Sequence, residues 1–289
     1  MKSTIYLAII ILALSLVTFA QAPQEKFATV FGAKIRYLEA GDATKPNVIL
    51  LHGLGANADS WQPTPLVSSI VALSTKYHVI APDQIGFGKS DKPFLKYRVG
   101  TYADFLDKFM SELKIEKASL VGNSLGGWVA GLMSVKYPNR VEKLILVDAA
   151  GLEPAIIDFN RIYQLNNSTR DEVRANLKLI FANPMFHNEA FVDQFMTARV
   201  MTNDGYTINS LIESIKRKED FLDSELGKIK KPTLIIWGKQ DGLIPLSDGE
   251  KFNKGIAGSE LVIFDQCGHV PQFEKFPEFT KKVLEFLEK

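Results

Sequence analysis

The 289-residue sequence predicts an α/β fold: a doubly wound, mostly parallel eight-stranded sheet with a helical cap inserted between strands 6 and 7. Three observations carry this reading. Short apolar runs at residues 48–51, 118–121, 144–147 and 232–237 alternate with helical patterns, as strands covered by helices on both faces must. Each run ends in a turn rich in glycine or aspartate. Between residues 152 and 227 the strand pattern stops and only helical spacing remains.

In chain order, residues 27–31 and 35–38 read as two short strands around Gly32-Ala33, an opening antiparallel hairpin. The strand at 48–51 runs into His52-Gly53-Leu54-Gly55, a loop able to aim a backbone N–H without an intervening side chain. A helix over 66–74, a strand at 79–81 and the loop 82–91 follow. Phe105, Phe109 and Leu113 mark a helix over 102–113, with Thr101 as its cap. The strand 118–121 leads to a helix over 128–135, where Ala130 and Gly131 permit close packing, and the strand 144–147 ends at Asp148.

The insertion carries Val173, Leu177, Ile180 and Phe181, then Phe191 and Phe195, then Leu211, Ile212 and Ile215 at helical spacing. Asn183-Pro184 and Asn203-Asp204-Gly205 punctuate it as turns. Strands at 232–237 and 260–264 and an amphipathic helix over 279–287 close the chain. The domain reading is therefore a sheet core over 23–151 and 228–289, interrupted by a cap over 152–227.

Residues 1–22 stand outside that core. Lys2, an apolar run over 5–19 and Ala20-Gln21-Ala22 have the three parts of a secretory signal peptide, cleaved after Ala22. The expectation is an exported protein, periplasmic or secreted, with no stable membrane anchor after cleavage; no cysteine follows the run to accept a lipid. In a eukaryotic secretory pathway Asn166-Asn167-Ser168-Thr169 would offer glycosylation sequons.

Net charge is +1, and loss of Lys2 with the leader leaves 33 basic against 33 acidic residues, so no nucleic-acid partner is expected. The single cysteine, Cys267, has no partner for an internal disulfide and reads as a small core-filling residue. The histidines His52, His78, His187 and His269 lack ligand spacing, so no metal is expected.

The chemistry gathers at Gly122-Asn123-Ser124-Leu125-Gly126-Gly127, a G-x-S-x-G strand-to-helix turn that exposes a serine hydroxyl. Serine needs a base, itself oriented by a third group. Asp241 and His269 each follow the end of a predicted strand, and in a parallel sheet those ends share one edge. Asp148, at another strand end, is the competing acid.

Together with His52-Gly53-Leu54-Gly55, Asp83-x-x-Gly86-x-Gly88-x-Ser90, Trp237-Gly238 and Gly268-His269, this elbow resembles the helical-capped α/β-hydrolases from residue 27 to the C-terminus. The resemblance implies Ser124 as nucleophile, His269 as general base and then acid, and Asp241 as the carboxylate holding the imidazole's tautomer. It implies an oxyanion hole from the backbone N–H groups of Leu54 and Leu125, and no cofactor. His52 then reads as loop scaffold, Asp83 and Ser90 as loop-fixing hydrogen-bonders, and Trp61 and Trp128 as core or pocket wall.

Serine at the nucleophile position sets the chain apart from epoxide hydrolases and haloalkane dehalogenases, which place aspartate there. The leading expectation is a carboxylesterase or lipase-like enzyme, cleaving a small-molecule ester of short or medium apolar acyl chain through an acyl-serine. The alternative is a carbon–carbon hydrolase of the meta-cleavage-product type, whose elbow is similar, asparagine included. Val270 in place of that group's tryptophan and the export signal weigh against it; Arg161, Arg170, Arg174 and Arg199 match its substrate-binding cap arginine by residue type alone and read as ordinary solvated helix charges. A third reading is a non-enzymatic ligand-binding module on the same scaffold.

Overall fold

The computed structural model describes residues 22–154 and 165–289. The leader assigned to residues 1–22 lies outside the described residues except for Ala22, and so do cap residues 155–164, Arg161 among them. The strands are β1 (Gln24–Val30), β2 (Ala33–Ala40), β3 (Asn47–Leu51), β4 (His78–Pro82), β5 (Ala118–Asn123), β6 (Val141–Val147), β7 (Thr233–Gly238) and β8 (Glu260–Phe264). They form one sheet in the order β1-β2-β4-β3-β5-β6-β7-β8. β2 pairs antiparallel with β1 and β4, and every pairing from β4 and β3 through to β8 is parallel.

The helices are α1 (Ser69–Ser74), α2 (Val99–Glu112), α3 (Leu125–Lys136), α4 (Arg170–Ile180), α5 (Glu189–Thr202), α6 (Gly205–Lys216), α7 (Leu246–Gly255), α8 (Pro271–Glu274) and α9 (Phe276–Glu288). Alternate residues of the central strands enter two separate cores. Ile49, Leu51, Leu144, Leu146, Ile235 and Trp237 pack with α2, α3 and α7 on one face. Val48, Leu50, Ile145, Val147, Leu234 and Ile236 pack with α1 and α9 on the other. This is why those strands read as unbroken apolar runs. Between β6 and β7, the described residues hold α4, α5 and α6 and no strand.

Several boundaries differ from the sequence reading, for physical reasons. The hairpin turns at Phe31-Gly32, one residue early, because both adopt positive φ (50° and 84°) and bring Val30 opposite Ala33. α2 starts at Val99; Thr101 is not its cap but sits inside the first turn, where its hydroxyl accepts from the Arg98 N–H. α1 begins after Ser68, whose Oγ accepts from the Val71 N–H at 3.1 Å, and leaves Leu66 exposed. α3 and α9 also begin three residues earlier than their apolar patterns, and α7 had no sequence assignment.

Arg36 on β2 is buried and ties down the loop beside the strand ends. It donates to both oxygens of Asp59 at 2.9 Å, to Asp83 at 3.1 Å and to Glu25 at 3.0 Å. Its pKa is raised, since the paired carboxylates outweigh the burial that opposes its charge. Arg36→Met keeps the side-chain volume but leaves the buried Asp83 without its cation. The expected loss is about 3–5 kcal/mol of unfolding free energy, measured by urea denaturation.

Candidate active site

The C-terminal edge of the parallel strands gathers the residues singled out above. β5 turns into α3 at Ser124, whose backbone is held at φ 56°, ψ −119°. For a non-glycine residue that conformation costs on the order of 1–3 kcal/mol and persists only where neighbours over-determine it. Here they do. The Ser124 N–H donates to Val147 O at 3.0 Å, and the Ser124 carbonyl accepts from the N–H groups of Gly127, Trp128 and Ala150. The turn also needs its two glycines: a Cβ on Gly122 would lie 2.2 Å from Gly126 O, and one on Gly126 would lie 2.1 Å from Leu51 O.

His269 and Asp241 come together from the ends of β8 and β7. His269 Nδ1 lies 2.7 Å from Asp241 Oδ2, and both side chains are buried. The other oxygen, Asp241 Oδ1, accepts from the Leu243 and Ile244 N–H groups at 2.8 and 3.0 Å, so both oxygens of the carboxylate have partners. The His269 loop is held at three points. Its N–H donates to Ile180 O at 2.7 Å, its carbonyl accepts from Asn123 Nδ2 at 3.0 Å, and the Gly268 N–H donates to Glu274 Oε2 at 2.7 Å.

Asp148 is the third acid at this edge. It is completely buried; Oδ1 accepts from the Gly238 N–H at 2.8 Å, and Oδ2 has no hydrogen-bond partner among the described residues. Burial, reinforced by the charge of Asp241, raises its pKa well above the usual carboxylate range. Of the two acids, then, Asp241 is the one joined to the imidazole.

The loop after β3 closes the other side. A Cβ on Gly53 would stand 3.2 Å from the Ser124 Cβ, so the loop abuts the serine. The N–H of Leu54 and the N–H of Leu125, first residue of α3, make no hydrogen bond among the described residues. His52 works beneath them: Nε2 accepts from the Gln84 N–H at 3.0 Å and Nδ1 lies 2.8 Å from Gly53 O. Those partners require a neutral ring protonated on Nδ1, and burial lowers its pKa accordingly.

A sequence profile described as the alpha/beta hydrolase fold matches residues 46–276. The chain belongs to the α/β-hydrolase family. It is 34% identical over 262 residues to the 2-hydroxy-6-oxononadienedioate/2-hydroxy-6-oxononatrienedioate hydrolase of Escherichia coli K12, covering 86% of this chain and 88% of that one. Among solved structures it is similar to the meta-cleavage product hydrolase of Pseudomonas fluorescens IP01 (29% identity, TM-score 0.82, 91% of this chain and 97% of that one). It is also similar to a membrane phospholipase A described as a bacterial virulence factor (29% identity, TM-score 0.80, 92% and 86%).

The rest of this α/β-hydrolase's candidate residues sort by contact. Asp83 is loop scaffold: Oδ1 accepts from Ala58 N–H at 2.7 Å and Oδ2 from Lys89 N–H at 2.7 Å. Ser90 Oγ donates to Asp83 O at 2.7 Å and accepts from the Arg36 N–H. Trp61 is core beside Phe279, and Trp128 stacks on Phe221 while donating to Asp220 O at 2.6 Å. Phe181, Phe186, Phe191 and Phe195 form an aromatic cluster with Phe273 rather than a row of cleft-facing side chains.

Of the described cap arginines, Arg170 and Arg174 are exposed and paired with Asp193, Glu189 and Asp171. Arg199 is different. Its Nη1 comes within 3.5 Å of where a Cβ on Gly55 would stand, it pairs with Asp204, and it donates to Asn166 Oδ1 at 2.7 Å. Arg36, Gln84 and Glu274, which brace the loops of the site, went unmarked in the sequence. A charge inside the otherwise apolar Ile35-Arg36-Tyr37-Leu38 run was the one available signal.

Cys267 is fully buried, and burial pushes its thiol pKa up strongly. The folded enzyme is expected to resist iodoacetamide at pH 8 and to alkylate only in denaturant, read by intact-mass spectrometry.

Proposed function

We propose that this α/β-hydrolase is a serine hydrolase acting on an activated ketone, in the manner of meta-cleavage-product hydrolases. Ser124 is the nucleophile, His269 the base and then acid, and Asp241 the carboxylate that keeps the Nδ1–H tautomer. The observation that carries the reading is the His269–Asp241 pair on the same sheet edge as the strained Ser124, with two unpaired backbone N–H groups beside it. His269 withdraws the hydroxyl proton as Oγ adds to the ketone carbon. The resulting alkoxide is received by the Leu54 and Leu125 N–H groups, where aligned donors act only on charge that develops in the transition state. The addition follows ketonisation of the hydroxy-dienoate, in which the enol proton moves to the carbon beside the ketone. Collapse then breaks the bond to that saturated carbon, its electron pair passes through the enone to the 2-oxo oxygen, and the resulting enolate takes the proton from His269. Water, deprotonated by the same histidine, then releases the acid from Ser124.

The carbon–carbon reading draws support from the hydrolases named above and from Arg199. A meta-cleavage product carries a carboxylate, and Arg199 is the described cap arginine set beside Gly55 in the loop after β3. Asn123, the elbow residue similar to that group, argues neither way, because its amide is used on Val147 O and His269 O. Ester hydrolysis through the same acyl-serine is the second reading, favoured by Val270 where the carbon–carbon enzymes carry tryptophan and by the similarity to a membrane phospholipase A. Residues 1–22 we read as a leader that exports the enzyme. N-terminal sequencing of the mature protein is expected to begin at Pro23.

A 2-hydroxy-6-oxo-dienoate and a series of nitrophenyl esters, assayed side by side, separate the two chemistries. The proposal expects kcat/KM for the dienoate to exceed that of the best ester by about tenfold or more; turnover of esters alone makes this an esterase. Ser124→Ala is expected to lower kcat on the preferred substrate by about 10³-fold or more and to abolish fluorophosphonate labelling. Arg199→Gln is expected to raise KM for the dienoate about tenfold through loss of a charge-assisted hydrogen bond, with KM for a neutral nitrophenyl ester unmoved. Equal effects on both substrates would remove Arg199 from substrate recognition.

A further inference from the structure

We propose that Asp148 is a positioning residue: a neutral carboxylic acid whose Oδ2 proton is donated to Asp241, so that the imidazole faces two carboxyl groups sharing one proton. The inference rests on the assignment of Ser124, His269 and Asp241 made above. One oxygen from each carboxyl and one ring nitrogen of His269 lie within 4.8 Å of one another. Two carboxylates in one dry site do not both ionise.

The donors decide which keeps the charge. Asp241 receives the Leu243 and Ile244 N–H groups on one oxygen and His269 on the other. Asp148 receives the Gly238 N–H alone, leaving Oδ2 buried and unpartnered. A proton on that oxygen satisfies it, and the neighbouring acceptor is Asp241. The titratable groups facing Asp148 are Asp241 from the loop after β7, Cys267 and His269 from the loop after β8, and Glu274 from α8. Among the described residues no lysine or arginine pairs with it. The burial that raises its pKa agrees with this placement of the proton.

The shared proton has a catalytic consequence. Asp241 gains a donor that fixes its plane against the imidazole, and the imidazolium forms beside one negative charge rather than two. An ionised Asp148 would place a second, uncompensated negative charge in the same buried site.

The pH dependence of fluorophosphonate labelling at Ser124 tests this without a natural substrate, since its acidic limb reports deprotonation of His269. Asparagine is isosteric, neutral and a donor. Asp148→Asn is therefore expected to keep the limb in place and the plateau rate within about threefold of wild type. Asp148→Leu, which has no donor, is expected to lose about tenfold or more. A limb in Asp148→Asn displaced downward by more than about one pH unit would show that a charge had been removed, and overturn the proposal. So would a plateau in Asp148→Leu equal to wild type.

A second readout needs no catalysis. Asp148 has its folded pKa raised, so the unfolded chain releases this proton above about pH 4 while the folded protein retains it, and stability is lost as pH rises from there. Asp148→Asn should melt higher than wild type at pH 8, with the difference shrinking toward pH 4; a constant difference counts against a retained proton. If Asp148→Asn does not fold, infrared spectra of the wild type at pH 8 decide. A protonated-carboxyl stretch that survives Asp204→Asn supports the proposal, and its absence overturns it. Failure of the wild type to label at Ser124 would sink the nucleophile assignment instead, leaving the melting and infrared results to judge Asp148.

Discussion

Ser124 keeps a backbone conformation that few residues with a side chain adopt, and the three strands around it make that possible. β6 receives its N–H at Val147 O, and the chain just past β6 returns a hydrogen bond from Ala150 N–H to its carbonyl. β3 presses so close that Gly126 has no room for a methyl group against Leu51 O. The elbow is therefore not a feature of the pentapeptide alone. It is a contact among β3, β5 and β6, and it sets where the Gly53 loop, α3 and Asp148 must lie. Strain of this kind is stable only when every neighbouring hydrogen bond opposes its release.

Beneath the edge runs a layer of buried polar groups. Arg36 joins Asp59 and Asp83; Asp83 joins the backbone of Ala58 and Lys89; Gln84 joins His52 through both its N–H and its side-chain amide. Each group would be expensive to bury alone, and as a connected network they pin the loops after β3 and β4, the first of which holds only the short 3-10 turn Ala58–Trp61. An apolar filling could supply similar stability, but it would not hold the Gly53 peptide in one orientation. The network specifies the loop on which the unpaired Leu54 N–H depends.

What the sequence made legible follows from what is local. Strands covered on both faces must be apolar throughout, so the central strands stood out as short apolar runs, and all eight strands were readable in chain order from segments three to six residues long, with the first hairpin displaced by one residue. Helix starts were read late because apolar spacing marks the packed face, whereas α2 begins at a capping exchange between Arg98 and Thr101. Ser124, Asp241 and His269 were visible because each stands at a strand end beside glycine. The pairings among the supporting residues were not. Arg36 meets Asp83 across 47 positions and Asp148 meets Gly238 across 90, and neither end carries a local signature of the other. The cap phenylalanines read as mostly packing residues with some left to face a cleft; their three-dimensional grouping with Phe273 shows which contacts they make.

That grouping bears on how the cap and the chemistry are joined. Phe181, Phe186 and Phe273 link α4, the turn after it and α8 in one apolar unit, and Val270 packs against the same cluster one residue beyond His269. The last carbonyls of α4 extend the link into the backbone: Leu179 O accepts from the Gly242 N–H beside Asp241, and Ile180 O accepts from the N–H of His269 itself. Carbonyls at a helix C-terminus have no partner within the helix, so these bonds use acceptors that α4 would otherwise leave empty. At the opposite side of the cap, α6 is tied to the core through the Ser210 hydroxyl on the Tyr97 N–H and through Tyr206 stacked on Phe94. α4 thus belongs mechanically to the His269–Asp241 pair rather than to a separate lid. Any displacement that opened the cap as a whole would have to break the hydrogen bonds that position the base, whereas a change confined to α5, which carries Arg199, leaves them intact.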